Sequence, residues 1–305
     1  MRGVGEAIPG PSRTAVLTAV ARALQRTQPR PWVMDDYLAL GLAGPEGQAL
    51  LARLRAEVPR THLLAFSRWI CVRGRFAEDV VEQAVAGSLG QYVILGAGLD
   101  SFAYRRADLL DRLRVFEVDH PATQEWKRRR LTAIGVALPG GLVFAPVDFE
   151  RQTLREGLER ASFDFGRPAV FSWIGVTMYL SPEAIHATLA TVARGRAGIR
   201  LVLTYNQPPA ALTGITAQVA ATFAALAAEL GEPFVSRFTP AEIVRLLHGH
   251  GFGDITDFGP DEARAAYFQG RADVEIAGAQ RLATATLTRP GGVGGGGGSK
   301  PDRSV

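Results

Sequence analysis

A glycine-containing turn is the first segment of the 305-residue chain whose residue types could bind a ligand. Gly96, Ala97 and Gly98 directly follow the short apolar run 92–95. Glycine allows positive φ and a close approach of backbone to a ligand, although similar turns without a ligand also occur. Ser101 stands where a dinucleotide-binding turn has its third glycine. That difference favours a nucleoside ligand over a dinucleotide.

An acidic residue follows at the spacing expected for a ribose contact. Asp119 lies 21 residues after Gly98, at the end of a second apolar run. An acid about 20 residues after such a turn hydrogen-bonds the hydroxyls of a ribose. A carboxylate that stabilises the start of the next helix is the alternative, and Glu117 competes with Asp119 for the role. We favour Asp119 as the ribose ligand.

Two further segments carry groups that suit other parts of a nucleoside ligand. Asp148 and Phe149 follow a third apolar run, where a carboxylate could bind an adenine amino group and a ring could cover the base. Capping of the next helix explains Asp148 equally well. Arg73 could pair with a ligand carboxylate, although solvated surface charge at Arg73 and Arg75 is the favoured explanation of this segment taken alone.

The elements that position these residues follow from the hydrophobic pattern. Continuous apolar runs predict five buried strands, at 92–95, 114–118, 142–147, 169–174 and 199–204. Helical periodicity predicts helices between and after them, at 102–111, 121–134, 151–160, 182–194, 213–230 and 240–249. This alternation predicts a parallel sheet covered on both faces. Two late strands, 254–258 and 281–288, have no long helix between them and predict an antiparallel pair at the sheet edge.

Helical segments before the first strand predict an N-terminal cap. They lie at 12–26, 47–58, 62–72 and 75–88. We therefore divide the chain into a flexible start (1–12), a helical cap with its lead-in helix (13–88), a ligand-binding α/β domain (89–288) and a flexible glycine-rich tail (289–305). An apolar, alanine-rich insertion at 205–239 predicts either a hydrophobic small-molecule pocket or a dimer face.

Composition excludes several classes of protein. With 47% hydrophobic and 21% charged residues, the chain is not a mainly disordered protein, a collagen or a small disulfide scaffold. The excess of 34 basic over 30 acidic residues is too small to indicate nucleic-acid binding. Cys71 is the only cysteine, which excludes an internal disulfide and a zinc cluster of cysteines. No signal-peptide or membrane-spanning pattern is present, so we expect a cytoplasmic protein with no membrane partner.

Five ordered segments together resemble the leucine carboxyl methyltransferase superfamily, and within it the bacterial S-adenosylmethionine-dependent methyltransferases. They are RGRFAEDVVEQAV, QYVILGAGLDSFAYR, VFEVDHPATQEWKRRRL, PVDF and FSWIGVTMYL. The resemblance covers roughly residues 30–288. It implies the class I methyltransferase fold, a Rossmann-like α/β sheet of seven mostly parallel strands with an antiparallel edge strand, plus the N-terminal helical cap.

The resemblance also implies S-adenosyl-L-methionine as cofactor, with no metal. The implied contacts are Arg73 to the methionine carboxylate, Gly96, Ala97 and Gly98 to methionine and ribose, Asp119 to ribose, and Asp148 and Phe149 to adenine. One position departs from the pattern: many members have an acid that contacts the methionine amine where this chain has Ile174. Backbone carbonyls near Gly96 or Ser172 could supply that contact instead.

The expected activity is O-methylation of a small-molecule hydroxyl or carboxylate, of the kind found in secondary metabolism. Tyr179 is the candidate catalytic residue on the acceptor side, with core packing as its alternative role, and no general base is assigned. Two other functions stay open. One is a non-catalytic cofactor-binding partner or scaffold; the other is an NAD-dependent oxidoreductase, which Ser101 and the lack of a Tyr-x-x-x-Lys pair disfavour. A homodimer is also left open.

Overall fold

A seven-stranded sheet forms the centre of the protein. The computed structural model describes residues 12–149, 151–195, 198–271 and 274–288. The predicted flexible tail at 289–305 and residues 1–11 of the predicted flexible start lie outside these ranges. The strands are β1 (Gln91–Leu95), β2 (Arg114–Asp119), β3 (Leu142–Pro146), β4 (Val170–Trp173), β5 (Arg200–Asn206), β6 (Phe252–Phe258) and β7 (Gln280–Leu287).

The strand order confirms the predicted fold class. The sheet runs β3-β2-β1-β4-β5-β7-β6. Strands β1 to β5 are parallel, and β7 inserts antiparallel between β5 and β6 at one edge. The order reverses at β1, which pairs with both β2 and β4. Ligands of open α/β sheets bind at the carboxyl ends of the strands beside such a switch point.

Helices cover both faces of the sheet and form the cap. They are α1 (Arg13–Gln25), α2 (Ala39–Glu57), α3 (Arg60–Ala86), α4 (Phe102–Arg105), α5 (Pro121–Ala133), α6 (Leu154–Arg160), α7 (Pro182–Val192), α8 (Gly214–Glu229), α9 (Pro240–Gly249) and α10 (Pro260–Tyr267). Of the described helices, α4 and α10 have no match of similar length among the predicted segments. A 3₁₀ turn at Ala107–Leu109 replaces the second half of predicted helix 102–111.

Two predicted boundaries differ from the structure for identifiable reasons. Predicted helices 62–72 and 75–88 are one continuous helix, α3, because Gly74 packs against Met34 inside the helix instead of ending it. Helix α2 begins at Ala39, eight residues before the predicted start at 47. Gly44, with φ of 69°, and Pro45 kink α2. This break interrupts the helical periodicity, so the sequence pattern does not show the first residues of the helix.

The hydrophobic core continues from the sheet into the cap. Phe116 and Phe171 on the sheet pack around Phe163 on one face. In the cap, α1, α2, α3 and α8 share a second buried cluster, in which the rings of Phe66 and Phe223 stack with centroids 3.6 Å apart. The buried side of α8 therefore packs on the cap. Within the described ranges, no helix is long and apolar enough to cross a membrane.

Candidate functional site

A cavity of about 730 Å³ opens at the carboxyl ends of the parallel strands. Its floor includes Gly96 after β1, Asp119 at the end of β2, Gly175 after β4 and Asn206 at the end of β5. Helices α1, α3 and α8 form the opposite walls. The volume lies within the range of about 300–1,000 Å³ that is usual for small-molecule and cofactor sites.

The glycine turn lies in this floor and needs glycine for two reasons. Gly96 has φ of 68°, a left-handed conformation that costs other residues free energy. A Cβ atom on Gly96 would lie 2.4 Å from Val176 Cγ2. The Gly96 and Ala97 N–H groups donate to the Val118 carbonyl at 2.9 and 3.0 Å, which fixes the turn to β2. The turn is thus held rigidly with its backbone toward the cavity.

Replacing Gly96 with alanine should lower the free energy of unfolding by at least about 1–2 kcal/mol, the cost of left-handed backbone for an L-residue. The contact with Val176 should add to this loss. Urea unfolding measures the effect. Gly140→Ala is the matched control because its Cβ would meet nothing within 4 Å and its φ is not positive. Equal stability of the two variants would contradict the assigned role of the turn.

Asp119 faces the cavity beside the glycine turn. Its Oδ2 accepts from the Gly98 N–H at 2.5 Å, and its Oδ1 accepts from the His120 N–H at 2.7 Å. Burial raises the pKa of Asp119 above its usual value, and the two backbone donors oppose this only in part. A carboxylate has about four lone-pair positions, so two remain for a hydroxyl pair of a ligand.

The competing acid, Glu117, does not reach the cavity. It is fully buried behind Asp119, and its Oε2 accepts from Lys127 Nζ at 2.6 Å. Strand alternation puts Glu117 and Asp119 on the same face of β2, but only Asp119 lies at the strand end. The structure thus separates a buried ion pair from a carboxylate that lines the site.

Arg73 lines the cavity from α3 and is 8% exposed. Its Nη1 donates to Gln280 Oε1 at 2.7 Å, and no carboxylate in the described part of the chain forms an ion pair with it. Burial lowers the pKa of Arg73 to about 10, so the group is still charged at neutral pH. An uncompensated buried cation is costly, and an anionic ligand would remove that cost.

Arg75, the nearby arginine, has a different environment. It points away from the cavity and forms an ion pair with Asp79, one helical turn later, at 2.7 Å. Arg75 is therefore the arginine that forms a surface charge pair, whereas Arg73 lies in the cavity wall.

Asp148 and Phe149 are the two predicted site residues that the structure does not bring into the cavity lining. They follow β3, whose neighbour β2 carries Asp119, and the Val147 N–H donates to the Asp119 carbonyl at 2.9 Å. Asp148 lies 3.5 Å from Arg151 Nε, and Phe149 is 60% exposed. Helix α6 is capped by Thr153 with Glu156, so Asp148 is not its cap.

Tyr179 lies in the cavity wall, in the segment that follows β4. It ends a short 3₁₀ turn, and its ring packs against Phe234 with centroids 5.5 Å apart. Burial raises the pKa of Tyr179, so its hydroxyl keeps its proton at neutral pH. Ile174 also lines the cavity. An acidic side chain is therefore absent at this position, as the sequence indicates.

Several cavity residues carry no signal in the sequence. Asn206 and Gln280 end or begin strands and contact each other across 74 residues, with Gln280 Nε2 donating to Asn206 Oδ1 at 3.2 Å. Glu232 accepts from Ser12 Oγ and the Arg13 N–H at 2.8 Å, which holds the start of α1 against the cavity. Only the tertiary fold brings such distant positions together, so no local spacing could reveal them.

An ion cluster joins the cap to the glycine turn. Arg22 Nε donates to Asp36 Oδ2 at 2.7 Å, and Arg22 Nη2 donates to the Leu99 carbonyl at 2.7 Å. Arg105 lies 3.6 Å from Asp36 and also pairs with Glu78. Arg22, Leu99 and Glu78 all line the cavity. No group of three or more metal-binding side chains occurs among the described residues.

Comparisons with known proteins agree with this architecture. The model of the leucine carboxyl methyltransferase family matches residues 15–193. A Bacillus subtilis protein named "Putative S-adenosyl-L-methionine-dependent methyltransferase YktD" is 28% identical over 288 residues, which cover 86% of this chain and 93% of that protein. A Mycobacterium avium protein named "Putative S-adenosyl-L-methionine-dependent methyltransferase" is 36% identical over 180 residues, which cover 59% of each chain.

Solved structures show the same fold at low sequence identity. A DUF574 family protein from Streptomyces avermitilis has a TM-score of 0.61 at 17% identity, covering 91% of this chain and 98% of that one. A Thermobifida fusca protein, titled a "putative methyltransferase", has a TM-score of 0.59 at 18% identity, covering 92% and 96%. Since the family model spans more than half of the chain, the chain belongs to the leucine carboxyl methyltransferase family.

Proposed function

We propose that this protein transfers a methyl group from S-adenosyl-L-methionine to an oxygen atom of a small-molecule acceptor. The observation that carries the proposal is the charge pattern of the cavity. Arg73 supplies a buried cation without an acidic partner in the described part of the chain, and Asp119 supplies a carboxylate with open lone pairs beside a glycine turn. A molecule with a carboxylate at one end and a ribose at the other matches both.

The residues present fit this cofactor. Arg73 would bind the methionine carboxylate, and the backbone of Gly96, Ala97 and Gly98 would lie against the methionine and ribose. Asp119 would accept hydrogen bonds from the ribose hydroxyls. The adenine would extend past Asp119 to the loop after β3, where Asp148 can accept from its amino group and the exposed Phe149 ring can cover it.

The protein's part in the reaction is positioning. When bound, S-adenosyl-L-methionine supplies a methyl group already activated on a sulfonium. Arg73 and Asp119 would fix the methionine carboxylate and the ribose of the ligand, which converts an encounter into an oriented contact. The apolar cavity walls exclude water that would compete with the acceptor. Burial raises the pKa of Tyr179, so its hydroxyl carries a proton that it can donate to the acceptor in a hydrogen bond.

The α8 segment supports a pocket over a dimer face for the apolar insertion. Val219, Phe223 and Ala227 are buried and line the cavity. The apolar residues of this insertion are thus buried within a single chain, around the cavity. This favours a hydrophobic small molecule as the acceptor.

Calorimetric titration tests the proposal. We expect the protein to bind S-adenosyl-L-methionine and its demethylated product, S-adenosyl-L-homocysteine, and not to bind NAD. Arg73→Ala should weaken cofactor binding by about 1.5–3 kcal/mol, the value of a hydrogen bond to a charged group. Arg75→Ala is the matched control and should leave affinity unchanged, since Arg75 pairs with Asp79 outside the cavity.

Two results would count against this function. Binding of NAD without either sulfur compound would overturn it in favour of an oxidoreductase. Full affinity in Arg73→Ala would reject the assignment of the methionine carboxylate to Arg73.

A further inference from the structure

Two histidines face each other on the protein surface, outside the cavity lining. His186 lies in α7, and His250 directly follows α9. His186 Nδ1 and His250 Nε2 are 2.9 Å apart, and the centroids of the two rings are 5.1 Å apart. Because 64 positions separate the two residues along the chain, only the fold brings them together. The proposed methyl transfer does not use this pair.

The hydrophobic core holds the backbone on both sides of the pair. Helices α7 and α9 bury side chains in one cluster on the same face of the sheet, namely Ile185, Leu189, Ile243 and Leu247. His186 directly follows one of these residues, and His250 comes three residues after another. The two rings are therefore placed by the fold before any ligand arrives, which lowers the entropy that binding costs.

The chemistry of the pair suits a metal ion. Neutral imidazole is the commonest metal ligand in proteins. Burial lowers the pKa of His250, and the nearby His186 lowers it further, so the His250 ring is neutral at neutral pH. His186 is exposed and His250 is half-buried. An ion can therefore reach the facing nitrogens from solvent.

A tautomer change frees both facing nitrogens for an ion. Two neutral imidazoles at this distance share one N–H···N hydrogen bond, in which one ring donates and the other accepts. The donor ring can carry its proton on its other nitrogen instead, because neutral imidazole has two tautomers. Both facing nitrogens then have lone pairs, and no net proton is released. Since His186 is exposed, a small tilt of its ring brings the two lone pairs to one ion.

The distance between the nitrogens selects the kind of ion. Bonds from a metal to histidine nitrogen are about 2.0–2.1 Å long. Two nitrogens 2.9 Å apart then subtend an angle of about 90° at the ion, the angle between neighbouring ligands in square-planar and octahedral sites. A tetrahedral site would need a separation of about 3.3 Å. Square-planar or tetragonal nitrogen sites are typical of Cu²⁺ and Ni²⁺, whereas Zn²⁺ prefers tetrahedral ones.

Glu183 adds negative charge beside the pair. It lies one turn before His186 in α7 and interacts electrostatically with it. A hydrogen bond from Ser181 lowers the pKa of Glu183, so its carboxylate is ionised at neutral pH and favours a nearby cation. Among the described residues, no third metal-binding side chain joins the pair. Glu183 thus acts through its charge, and water would complete the coordination of an ion.

We propose that His186 and His250 form a surface site for one Ni²⁺ or Cu²⁺ ion, which links α7 to the end of α9. The ion takes the two facing imidazole nitrogens in neighbouring positions, and water fills the others. Binding at this site is reversible and does not depend on methyl transfer. The ion stabilises the folded state, because the unfolded chain does not keep the two rings together.

Calorimetric titration of the whole chain with Ni²⁺ tests the site. The protein must carry no histidine tag, since a tag would bind the same ion. We expect the wild-type protein to bind one ion per chain. His186→Ala and His250→Ala should each weaken binding by about tenfold or more, because the two rings act as a linked pair. His248→Ala is the matched control: its ring lies 3.0 Å from the Phe252 carbonyl, and its removal should leave the affinity for Ni²⁺ unchanged.

Two further measurements report the geometry and the link between the helices. At an Ni²⁺ concentration about a hundred times the Kd, the Tm of the wild-type protein should rise by about 5 °C, and neither single variant should show this rise. The electron paramagnetic resonance spectrum of the Cu²⁺ complex should show coupling to two imidazole nitrogens. Ni²⁺ should bind more tightly than Zn²⁺, because the separation of the nitrogens fits the geometry of nickel.

Several outcomes would overturn the metal site. It is wrong if the wild-type protein binds no Ni²⁺, if either single variant keeps the wild-type affinity, or if His248→Ala loses as much affinity as they do. Tighter binding of Zn²⁺ than of Ni²⁺, or a copper spectrum with coupling to one nitrogen only, would also overturn it. None of these measurements involves S-adenosyl-L-methionine, so they are independent of the proposed function.

Discussion

Replacing Lys127 with methionine should lower the free energy of unfolding by on the order of 3–5 kcal/mol near pH 8, the usual cost of removing one partner of a buried ion pair. Lys127 Nζ lies 2.6 Å from Glu117 Oε2, and both side chains are fully buried. Methionine fills a similar volume but leaves the Glu117 carboxylate without its cation. Urea unfolding at several pH values measures the loss.

The pH dependence gives this prediction a second signature. Burial raises the pKa of Glu117 to about 7, although Lys127 opposes the shift. A raised carboxyl pKa contributes stability at low pH, and this contribution is lost as pH rises from the unfolded value of 4.5 toward 7. Removing Lys127 raises the pKa of Glu117 further. The deficit of Lys127→Met should therefore be larger at pH 8 than at pH 5.

A double variant separates lost charge pairing from lost packing. Lys127→Met with Glu117→Leu replaces the pair by apolar side chains, a change that is often neutral or stabilising. We expect it to regain most of the stability lost in Lys127→Met. A deficit of Lys127→Met below about 1 kcal/mol at pH 8, as in an exposed pair, would show that the ion pair does not stabilise the floor beneath Asp119.

The fold was largely predictable because local sequence patterns are sufficient to identify its strands. Runs such as Val93-Ile94-Leu95 are buried on both faces, so they are continuously apolar and need no tertiary information to be recognised. The errors occur where tertiary packing overrides a local break, as at Gly74, which lies inside α3 against Met34. At Gly44 and Pro45 the reverse holds: local breakers kink α2 without ending it.

Local spacing points to the cavity residues that lie close to strand ends, whereas Arg73, inside α3, is singled out by its residue type and by the family resemblance. The sequence brings Gly96, Gly98 and Asp119 to the cavity because the carboxyl ends of neighbouring parallel strands meet at one edge. The spacing favours Asp119 but leaves Glu117 as a competitor, and that competitor is removed only by Lys127, ten residues after Glu117. The spacing could not find Gln280 and Asn206, whose contact exists only after β7 inserts beside β5.

The ion cluster between cap and glycine turn leads to the second large effect. Asp36 is buried and lies between the guanidinium groups of Arg22 and Arg105. Asp36→Asn keeps the shape and an oxygen acceptor but removes the negative charge. We expect a loss of about 3 kcal/mol in unfolding free energy, the low end for breaking a buried ion pair. Urea unfolding at neutral pH measures this loss.

The neighbouring residue supplies the control for this variant. Asp35 pairs with Arg26 at 3.0 Å, with about half of the Asp35 side chain exposed. Asp35→Asn should therefore change the unfolding free energy by less than about 1 kcal/mol, as is typical of surface pairs. Similar losses in both variants would indicate that the buried position of Asp36 gives it no special role.

The pH dependence of the unfolding free energy gives a second test, whose outcome depends on the charge of Asp36. Burial opposes ionisation of Asp36, but Arg22 and Arg105 outweigh it and lower its pKa below 3.8. A lowered carboxyl pKa gives stability that is present above the unfolded value and lost as pH falls through the folded one. The deficit of Asp36→Asn should stay constant from pH 7 to pH 5 and shrink below pH 4.

Because Arg22 also donates to the Leu99 carbonyl in the cavity wall, the same variant should weaken binding of S-adenosyl-L-homocysteine. Unchanged affinity for that ligand would show that the cap and the glycine turn are not coupled through this cluster.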